Sequence, residues 1–173
     1  MYKEHFEDVI NGPVINEKQI KRIQNLIETA KKEGATVALE GERVGNVITP
    51  YVLTNVTNNS TIAKEEIFGQ ALSAISFDTE EEALELANDT EFGLSSAVFT
   101  TDLEKGISFA RKVESGMTHV NEQTVKDEET MPFGGEKASG LEHYNDEWAL
   151  EEFTTVKWIS VQKKKENIFF EMD

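Results

Sequence analysis

The sequence predicts an α/β protein with an open, mostly parallel sheet, helices on both faces of the sheet and a C-terminal β arm. The first observation is that short β-branched stretches alternate with longer amphipathic ones between residues 71 and 121. The second is that a Thr-x-x-Glu sequence opens each amphipathic stretch, as helix caps do. The third is a β-branched and aromatic stretch at residues 153–162, where the alternation has ended. Because helical crossovers of this length join parallel strands, helices should cover the sheet.

The amino-terminal stretch is expected to be a helix. Its apolar residues recur at helical spacing, at Ile20, Ile23, Ile27 and Ala30. Asn16 and Gln19 have the spacing of a capping box, and Gly34 is placed to end the helix. Two short β-branched stretches follow, "TVALEG" and "VITPYVLTNV". Because proline donates no ladder hydrogen bond, we expect Pro50 at a sheet edge or a strand start.

The middle of the chain predicts the order strand, helix, strand, helix, strand. The strands are "ALSAISF", "SSAVFT" and "MTHVN", and the helices between them are "TEEEALELAND" and "DLEKGISFARKVES". Thr79 with Glu82 is the expected cap of the first helix, and Thr101 with Glu104 that of the second. We therefore expect these three strands to be parallel neighbours in one sheet.

The composition predicts one cytoplasmic domain. With 173 residues and 38% hydrophobic content the chain can bury one sizeable core, so we expect a domain at 1–152 followed by an arm and tail at 153–173. Lys and Arg number 17 against 33 Asp and Glu, and the net charge of −16 disfavours nucleic acid and membrane-surface partners. No stretch reaches the ~20 apolar residues of a membrane helix, and the amino terminus lacks the apolar run of a secretory signal.

Neither disulfides nor a metal site are expected. The chain contains no cysteine, which excludes a disulfide framework and any zinc site with cysteine ligands. Its three histidines, His5, His119 and His143, are too scattered in sequence to suggest a ligand set. We expect structural or surface roles for them.

The stretch "MPFGGEKASG" at residues 131–140 reads as a shaped loop after the strand "MTHVN". Ligands of open α/β sheets bind beyond the carboxyl ends of the strands, so this loop is well placed to form a site. The alternative is a glycine-rich connection that only lets the backbone turn, and the residues alone leave both open. A phosphate-binding loop is disfavoured, because the glycine spacing matches neither known phosphate pattern and acidic residues follow.

Several separated stretches resemble one family in the same order. "KEEIFGQ" at 64–70 is similar to the Glu-x-Phe-Gly-Pro element of NAD(P)-dependent aldehyde dehydrogenases, and "NDTEFGLSSAVFTTDLEKG" to the segment that follows it in that family. "GMTHVNE" with "MPFGGEKASG" resembles the family's closing loop, and "EEFTTVKWISV" its last strand. The resemblance is to the C-terminal part of the family and runs from about residue 12 to 162.

The resemblance implies roles for individual residues. Glu66 matches the carboxylate that binds the ribose of the nicotinamide half of the cofactor, and Phe68 matches the aromatic packed near the nicotinamide. Phe133 matches a wall residue of the aldehyde pocket, and Asn121 and Glu122 begin the loop that shapes that pocket. The family strand that matches 153–162 extends the sheet of a neighbouring subunit, so we expect a homo-oligomer formed through this stretch.

The sequence departs from the family pattern in two loops. Gln70 stands where the family usually has proline. After Gly140 the family often continues with Gly-Arg, whereas this chain has "LEHYN". Asn145 can occupy a left-handed position, which would preserve the turn in another form.

The largest departure is the missing cysteine. The resemblance implies oxidation of an aldehyde to a carboxylic acid with NAD or NADP, through addition of a cysteine thiolate to the carbonyl. No cysteine is present, so we expect no catalytic residue, no turnover and no bound cofactor for this chain alone. A separate upstream half is one expected partner, and a non-catalytic interaction module on the same scaffold is the alternative function. The stretch 119–135 is most similar to family members that oxidise aromatic aldehydes.

Overall fold

The computed structural model describes residues 12–163 of a chain that forms two compact units, Met1–Glu91 and Phe92–Asp173. Helices and short strands alternate in both units, and the predicted α/β class is confirmed. His5 and the tail beyond Lys163 lie outside the described residues. Within the described part of the chain, no helix combines the length and the apolarity needed to cross a membrane.

The first unit combines a long helix with a three-stranded sheet. In chain order its elements are α1 (Glu17–Lys32), β1 (Thr36–Leu39), β2 (Arg43–Val44), β3 (Val47–Ile48), β4 (Tyr51–Thr54), α2 (Thr61–Lys64), β5 (Ala71–Ser73) and α3 (Glu80–Asn88). The sheet has the order β1-β4-β5, with β1 antiparallel and β5 parallel to the central strand. A separate hairpin joins β2 to β3.

Local signals fix the ends of the first helix as the sequence predicts. Asn16 caps α1, since its side-chain oxygen accepts a hydrogen bond from the backbone N–H of Gln19 at 2.9 Å. Gly34 follows the helix with a φ of 103°, in the left-handed region that favours glycine. Pro50 directly precedes β4, so its missing N–H falls at a strand start as expected.

The core of the first unit forms around the apolar face of α1. Ile20, Ile23, Leu26, Ile27 and Ala30 are buried on that face, together with apolar residues between Val14 and Ile62 in the rest of the unit. Burying an isoleucine side chain completely stabilises a fold by about 1.5–3 kcal/mol. This packing makes α1 a rigid support for the segments that contact it.

The second unit is built around two parallel strands. Its elements are β6 (Phe92–Gly93), β7 (Ser95–Val98), α4 (Leu103–Ala110), β8 (Met117–Val120), β9 (Phe133–Gly134), β10 (Glu136–Lys137), β11 (His143–Tyr144) and α5 (Asp146–Glu152). β7 and β8 pair in parallel, with Ser95 opposite Met117 and Val98 opposite Val120. The predicted crossover between these strands, through α4, is confirmed.

One predicted helix cap is correct and the other is displaced. Thr79 caps α3 by accepting a hydrogen bond from the Glu82 N–H at 3.1 Å. The cap of α4 is Asp102 rather than Thr101, because the Asp102 carboxylate accepts from the Lys105 N–H at 3.0 Å. Aspartate ranks above threonine as an N-cap, which explains the shift of one residue.

The expectation of one sheet containing all three middle strands is wrong. β5 pairs in parallel with β4, and β7 pairs with β8 in a different sheet. The reason is that the "YVLT" strand supplies a parallel partner for β5 through the short crossover at α2. Ala71 lies opposite Tyr51, and Ser73 opposite Leu53.

The predicted strand at 153–162 is also not observed. Residues 154–163 follow α5 without regular structure, and in the described part of the chain they pair with no strand. Their large apolar side chains are exposed, and Trp158 retains 90% of its accessible surface. A strand needs a partner for its backbone groups, and residues 12–163 offer this stretch none.

The two units differ in how they bury apolar side chains. All buried hydrophobic residues in the described part of the chain lie between Val14 and Ile62. In the second unit, β7 and β8 are only half-buried along their whole length. The second unit therefore carries apolar surface that no described residue covers.

Candidate functional site

Segment 65–70 follows α2 and carries the two residues matched to the cofactor site. Glu66 and Phe68 are both exposed, and the Phe68 ring retains 76% of its accessible surface. Phe68 lines a cleft of about 670 Å³ in the first unit, together with Pro50, Tyr51 and Leu72. The segment thus offers a carboxylate and an aromatic face to a ligand.

The backbone of Phe68 has an unusual conformation. Its φ is 50°, in the left-handed region. Bulky residues rarely adopt this region, and such strain costs roughly 1–3 kcal/mol, which contacts of the surrounding structure must offset. Strain of this kind is concentrated at ligand-binding sites.

Two side chains of α1 hold this segment through its carbonyl oxygens. The amide nitrogen of Gln19 donates to the carbonyls of Ile67 at 3.3 Å and Phe68 at 3.0 Å. Arg22 donates to the Ile67 carbonyl at 2.9 Å, and its other terminal nitrogen pairs with the Glu65 carboxylate at 3.0 Å. Segment 65–70 is therefore attached to the helix whose apolar face forms the core, and not only to its chain neighbours.

Gln70 occupies the position where the family pattern has proline. Its backbone carbonyl accepts a hydrogen bond from the Tyr51 N–H at 2.9 Å. Its side-chain oxygen is buried and accepts no hydrogen bond from the described residues. The turn into β5 therefore forms without proline, and Gln70 is one of the residues that line the cleft.

In the second unit, Asn121 joins the ends of the two parallel strands. Its side-chain oxygen accepts from the Thr100 N–H and its amide nitrogen donates to the Thr100 carbonyl, both at 2.8 Å. With both polar groups satisfied and a φ of 59°, Asn121 serves as a structural crosslink. It fixes the point at which the loop beginning with Glu122 leaves the sheet.

Glu122 lines a cleft of about 400 Å³ that opens beside β8. Polar and apolar groups share the lining, which includes His119, Lys126, Glu128 and Met131. A carboxylate oxygen of Glu122 accepts a hydrogen bond from the Gln123 N–H at 3.0 Å, and Lys126 pairs with Glu128 at 3.4 Å. Glu122 therefore lies at a ligand-sized space in this unit.

The glycine-rich loop at 131–140 is fixed by close backbone contacts. A side chain on Gly116 would collide with the carbonyl of Gly134, so the strand and the loop approach more closely than any other residue would permit. The Ser139 hydroxyl accepts from the Gly93 N–H at 2.9 Å. Asn145 has the expected positive φ, 82°, but its ψ of 149° lies outside the left-handed helical region. Its side chain donates to the Met131 carbonyl at 3.1 Å.

Phe133 lies in β9, where it pairs with Tyr144. It is more than one-third exposed and stands next to Pro132, which lines the cleft, although Phe133 itself is not in the lining. Glu122 and Phe133 thus belong to the same unit without sharing one cavity. Glu66 and Phe68 belong to the other unit.

Comparison with known proteins identifies the family of this chain. The sequence model of the aldehyde dehydrogenase family matches residues 2–159. The chain belongs to the aldehyde dehydrogenase family.

Relatives of this family member include enzymes named for aromatic aldehydes. It is 49% identical over 158 residues to benzaldehyde dehydrogenase YfmT of Bacillus subtilis, covering 91% of this chain and 33% of the relative. The structure of a salicylaldehyde dehydrogenase from Pseudomonas putida, complexed with salicylaldehyde, has a TM-score of 0.85 and 32% identity, covering 94% of this chain and 34% of that one. This chain spans about a third of the length of the relatives it matches.

A Mycobacterium tuberculosis aldehyde dehydrogenase complexed with NAD⁺ is also similar. Its TM-score is 0.79 at 39% identity, and the match covers 83% of this chain and 30% of that one. The family membership predicted from the sequence and the fragment-sized match are thereby confirmed. The roles of Glu66, Phe68, Glu122 and Phe133 stay predictions.

The structure of this family member also reveals residues that sequence reasoning missed. Gln19 was expected only as part of the helix cap and Arg22 was not singled out, because the partners of their side chains lie 48 and 45 residues away in the chain. His119 was expected to be structural, yet it lines the cleft beside Glu122 and its buried Nε2 has no hydrogen-bond partner among the described residues. The described residues contain no cluster of acidic and histidine side chains suited to a metal ion, and the whole sequence contains no cysteine.

Proposed function

We propose that this chain supplies the C-terminal part of an NAD(P)-dependent aldehyde dehydrogenase, an oxidoreductase that converts an aldehyde to a carboxylic acid. In this proposal the chain contributes one flank of the nicotinamide site and one wall of the aldehyde pocket. The family match over residues 2–159 carries the proposal. The exposed carboxylate and aromatic ring on segment 65–70 support the cofactor side, and the cleft beside β8 supports the aldehyde side.

Glu66 and Phe68 fit the nicotinamide half of a dinucleotide chemically. An ionised carboxylate accepts two hydrogen bonds, as adjacent ribose hydroxyls would supply, and charge-assisted bonds of this kind are strong. An exposed aromatic ring packs against a flat nicotinamide ring and excludes water from it. When bound, the nicotinamide supplies the hydride-accepting chemistry, and these two residues bind and orient it.

Phe133 and Glu122 would shape the space for the aldehyde. An aromatic side chain at the pocket wall favours an aromatic substrate through packing and burial. The relatives named for benzaldehyde and salicylaldehyde support the same substrate class. We therefore propose an aromatic aldehyde as the substrate, in line with the similarity noted in stretch 119–135.

Assembly forms part of the proposal. The apolar side chains at 153–162 are exposed, and the second unit lacks a buried apolar core in the described residues. Both features suit a chain that packs against further protein. We propose a homo-oligomer in which 153–162 adds a strand to a neighbouring subunit, with the rest of an aldehyde dehydrogenase polypeptide covering the second unit.

The second candidate function is a non-catalytic oligomerisation or interaction module. The absence of cysteine and the exposed apolar arm favour it, since both are compatible with binding without chemistry. The enzyme proposal and the interaction module make different predictions about three residues. Only the enzyme proposal requires Glu66, Phe68 and Phe133 to affect catalysis once the cysteine-bearing part is supplied.

A chimera tests the enzyme proposal. This chain would replace the matching third of the B. subtilis benzaldehyde dehydrogenase, and we expect the chimera to oxidise benzaldehyde with NAD⁺. Phe133→Ala should raise its KM for benzaldehyde roughly 3–10-fold, because an aromatic pair contributes about 0.5–1.5 kcal/mol beyond area burial. Steady-state kinetics measures this change.

The matched control is Phe99→Ala, which removes an exposed aromatic ring that the proposal does not place in the pocket. It should leave the KM for benzaldehyde unchanged. A folded chimera in which Phe133→Ala and Phe99→Ala behave alike would refute the role of Phe133. A folded, NAD⁺-binding chimera without activity would instead favour the interaction module.

A further inference from the structure

The contact between α1 and segment 65–70 is more specific than general packing. The side-chain amide of Gln19 bridges two consecutive carbonyls, those of Ile67 and Phe68. Arg22 shares the Ile67 carbonyl and also binds the Glu65 carboxylate. The four hydrogen bonds surround the residues that the proposed function assigns to the cofactor.

These bonds maintain a backbone conformation that the segment would otherwise leave. Phe68 holds a left-handed φ of 50° while most of its ring faces solvent. A phenylalanine that is free to move would relax to φ < 0 and bury its ring. The positive φ of Phe68 is not explained by packing of its ring, which is exposed, nor by the residue type, which is not glycine. The interactions that maintain this φ must therefore act on the backbone.

The support behind the two donors is rigid. Ile20 and Ile23 lie on the same helix and are fully buried, so the backbone positions of Gln19 and Arg22 are fixed by the core. Gly69 approaches the side chain of Ile23 so closely that any Cβ there would collide with it. Hydrogen bonds from α1 therefore hold the residues that precede Gly69, and Gly69 itself lies directly against the helix.

We infer that Gln19 and Arg22 are positioning residues that hold Glu66 and Phe68 in the orientation required for the nicotinamide half of the cofactor. This inference rests on the proposed function for the cofactor contact, and on the hydrogen bonds alone for the holding of the segment. The role of Gln19 and Arg22 is preorganisation, which raises affinity by removing the cost of ordering the segment on binding.

The test uses the full 173-residue chain and a double variant, Gln19→Met with Arg22→Met, which keeps side-chain length but removes the donors. The control is Lys18→Met with Lys21→Met, two exposed positions on the same helix. Amide hydrogen exchange is followed at Glu65 and Ala71, whose N–H groups donate to the carbonyls of Thr61 and Gly69 at the borders of the segment. Binding of nicotinamide mononucleotide, which contains only the nicotinamide half, is measured on the chimera carrying the same substitutions, by saturation-transfer NMR at millimolar concentration.

We expect the double variant to exchange about tenfold faster at both amides and to bind nicotinamide mononucleotide about tenfold more weakly, since backbone strain of this kind costs roughly 1–3 kcal/mol. The control pair should change neither value. Arg22→Lys keeps one donor for the Ile67 carbonyl and should give intermediate values. If exchange rises across the whole first unit, the single variants Gln19→Met and Arg22→Met replace the double variant.

The outcomes separate the inference from the proposed function on which it rests. Unchanged exchange at Glu65 and Ala71 in the double variant would overturn the positioning role. Faster exchange, combined with nucleotide binding that Phe68→Ala does not affect or with no binding at all, would reject the cofactor assignment and leave the holding role standing. Equal effects from the lysine control would show that the changes reflect helix stability and would also overturn the inference.

Discussion

The 173-residue chain by itself should form no reduced NAD or NADP from any aldehyde. The reaction of its family is implied to require a cysteine thiolate, and the chain has no cysteine. Removing the nucleophile from an enzyme that works by covalent catalysis lowers kcat by a factor on the order of 10⁶. The measurement is the absorbance of reduced nicotinamide with benzaldehyde or salicylaldehyde, followed over hours at high protein concentration.

Iodoacetamide provides the control for contaminating enzymes. It alkylates the catalytic thiol of any contaminating aldehyde dehydrogenase, whereas this chain has no thiol to modify. Activity that disappears on alkylation therefore belongs to a contaminant. Activity that resists alkylation and elutes with the chain would contradict the expectation and would require a different nucleophile.

Trp158→Glu should convert an assembled chain to monomers. If the arm at 153–162 adds a strand to a neighbouring subunit, Trp158 becomes buried there although it is 90% exposed in the isolated chain. An uncompensated charge buried at a contact costs about 3–5 kcal/mol, which weakens association roughly a hundredfold or more. Light scattering across a micromolar concentration series measures the change in mass.

Gln162→Glu is the matched control, because it adds the same charge at a polar position near the end of the arm. It should leave the assembly largely intact. An unmodified chain that stays monomeric at high micromolar concentration would rule out the proposed strand addition. Equal dissociation by both variants would mean that net charge, and not burial of Trp158, controls the assembly.

Features that depend on neighbouring residues were predictable from the sequence. The Asn16 and Thr79 caps form because a short polar side chain can reach the N–H three residues later. The positive φ of Asn145 was predictable because asparagine tolerates it, although its ψ of 149° lies outside the left-handed helical region. The parallel pairing of β7 and β8 follows from the helical crossover between them.

Features that depend on distant partners were not predictable. Periodicity identified β5 as a strand, but its pairing with β4 depends on which strand is nearer in space. Stretch 153–162 has strand composition, yet a strand exists only where a second one completes its hydrogen bonds. Composition alone therefore could not decide between a paired strand and the irregular arm that is observed.

The candidate site likewise contains one feature that was predictable from the local sequence and one that depends on distant residues. The position of the loop at 131–140 after β8 followed from strand order and the crevice rule. The left-handed backbone of Phe68 had no local signal, because phenylalanine is a poor residue for that region. It depends on Gln19 and Arg22, whose hydrogen bonds span more than 40 residues of chain.

The central claim is that segment 65–70 forms one flank of the nicotinamide site, and the KM for NAD⁺ of the chimera tests it most directly. Glu66→Gln should raise this KM roughly 10–100-fold, because a hydrogen bond to a charged group contributes about 1.5–3 kcal/mol. Glu85→Gln, an exposed carboxylate on α3, should leave it unchanged. A KM for NAD⁺ that is the same in the Glu66→Gln chimera and the unmodified chimera, at equal thermal stability, would contradict the account.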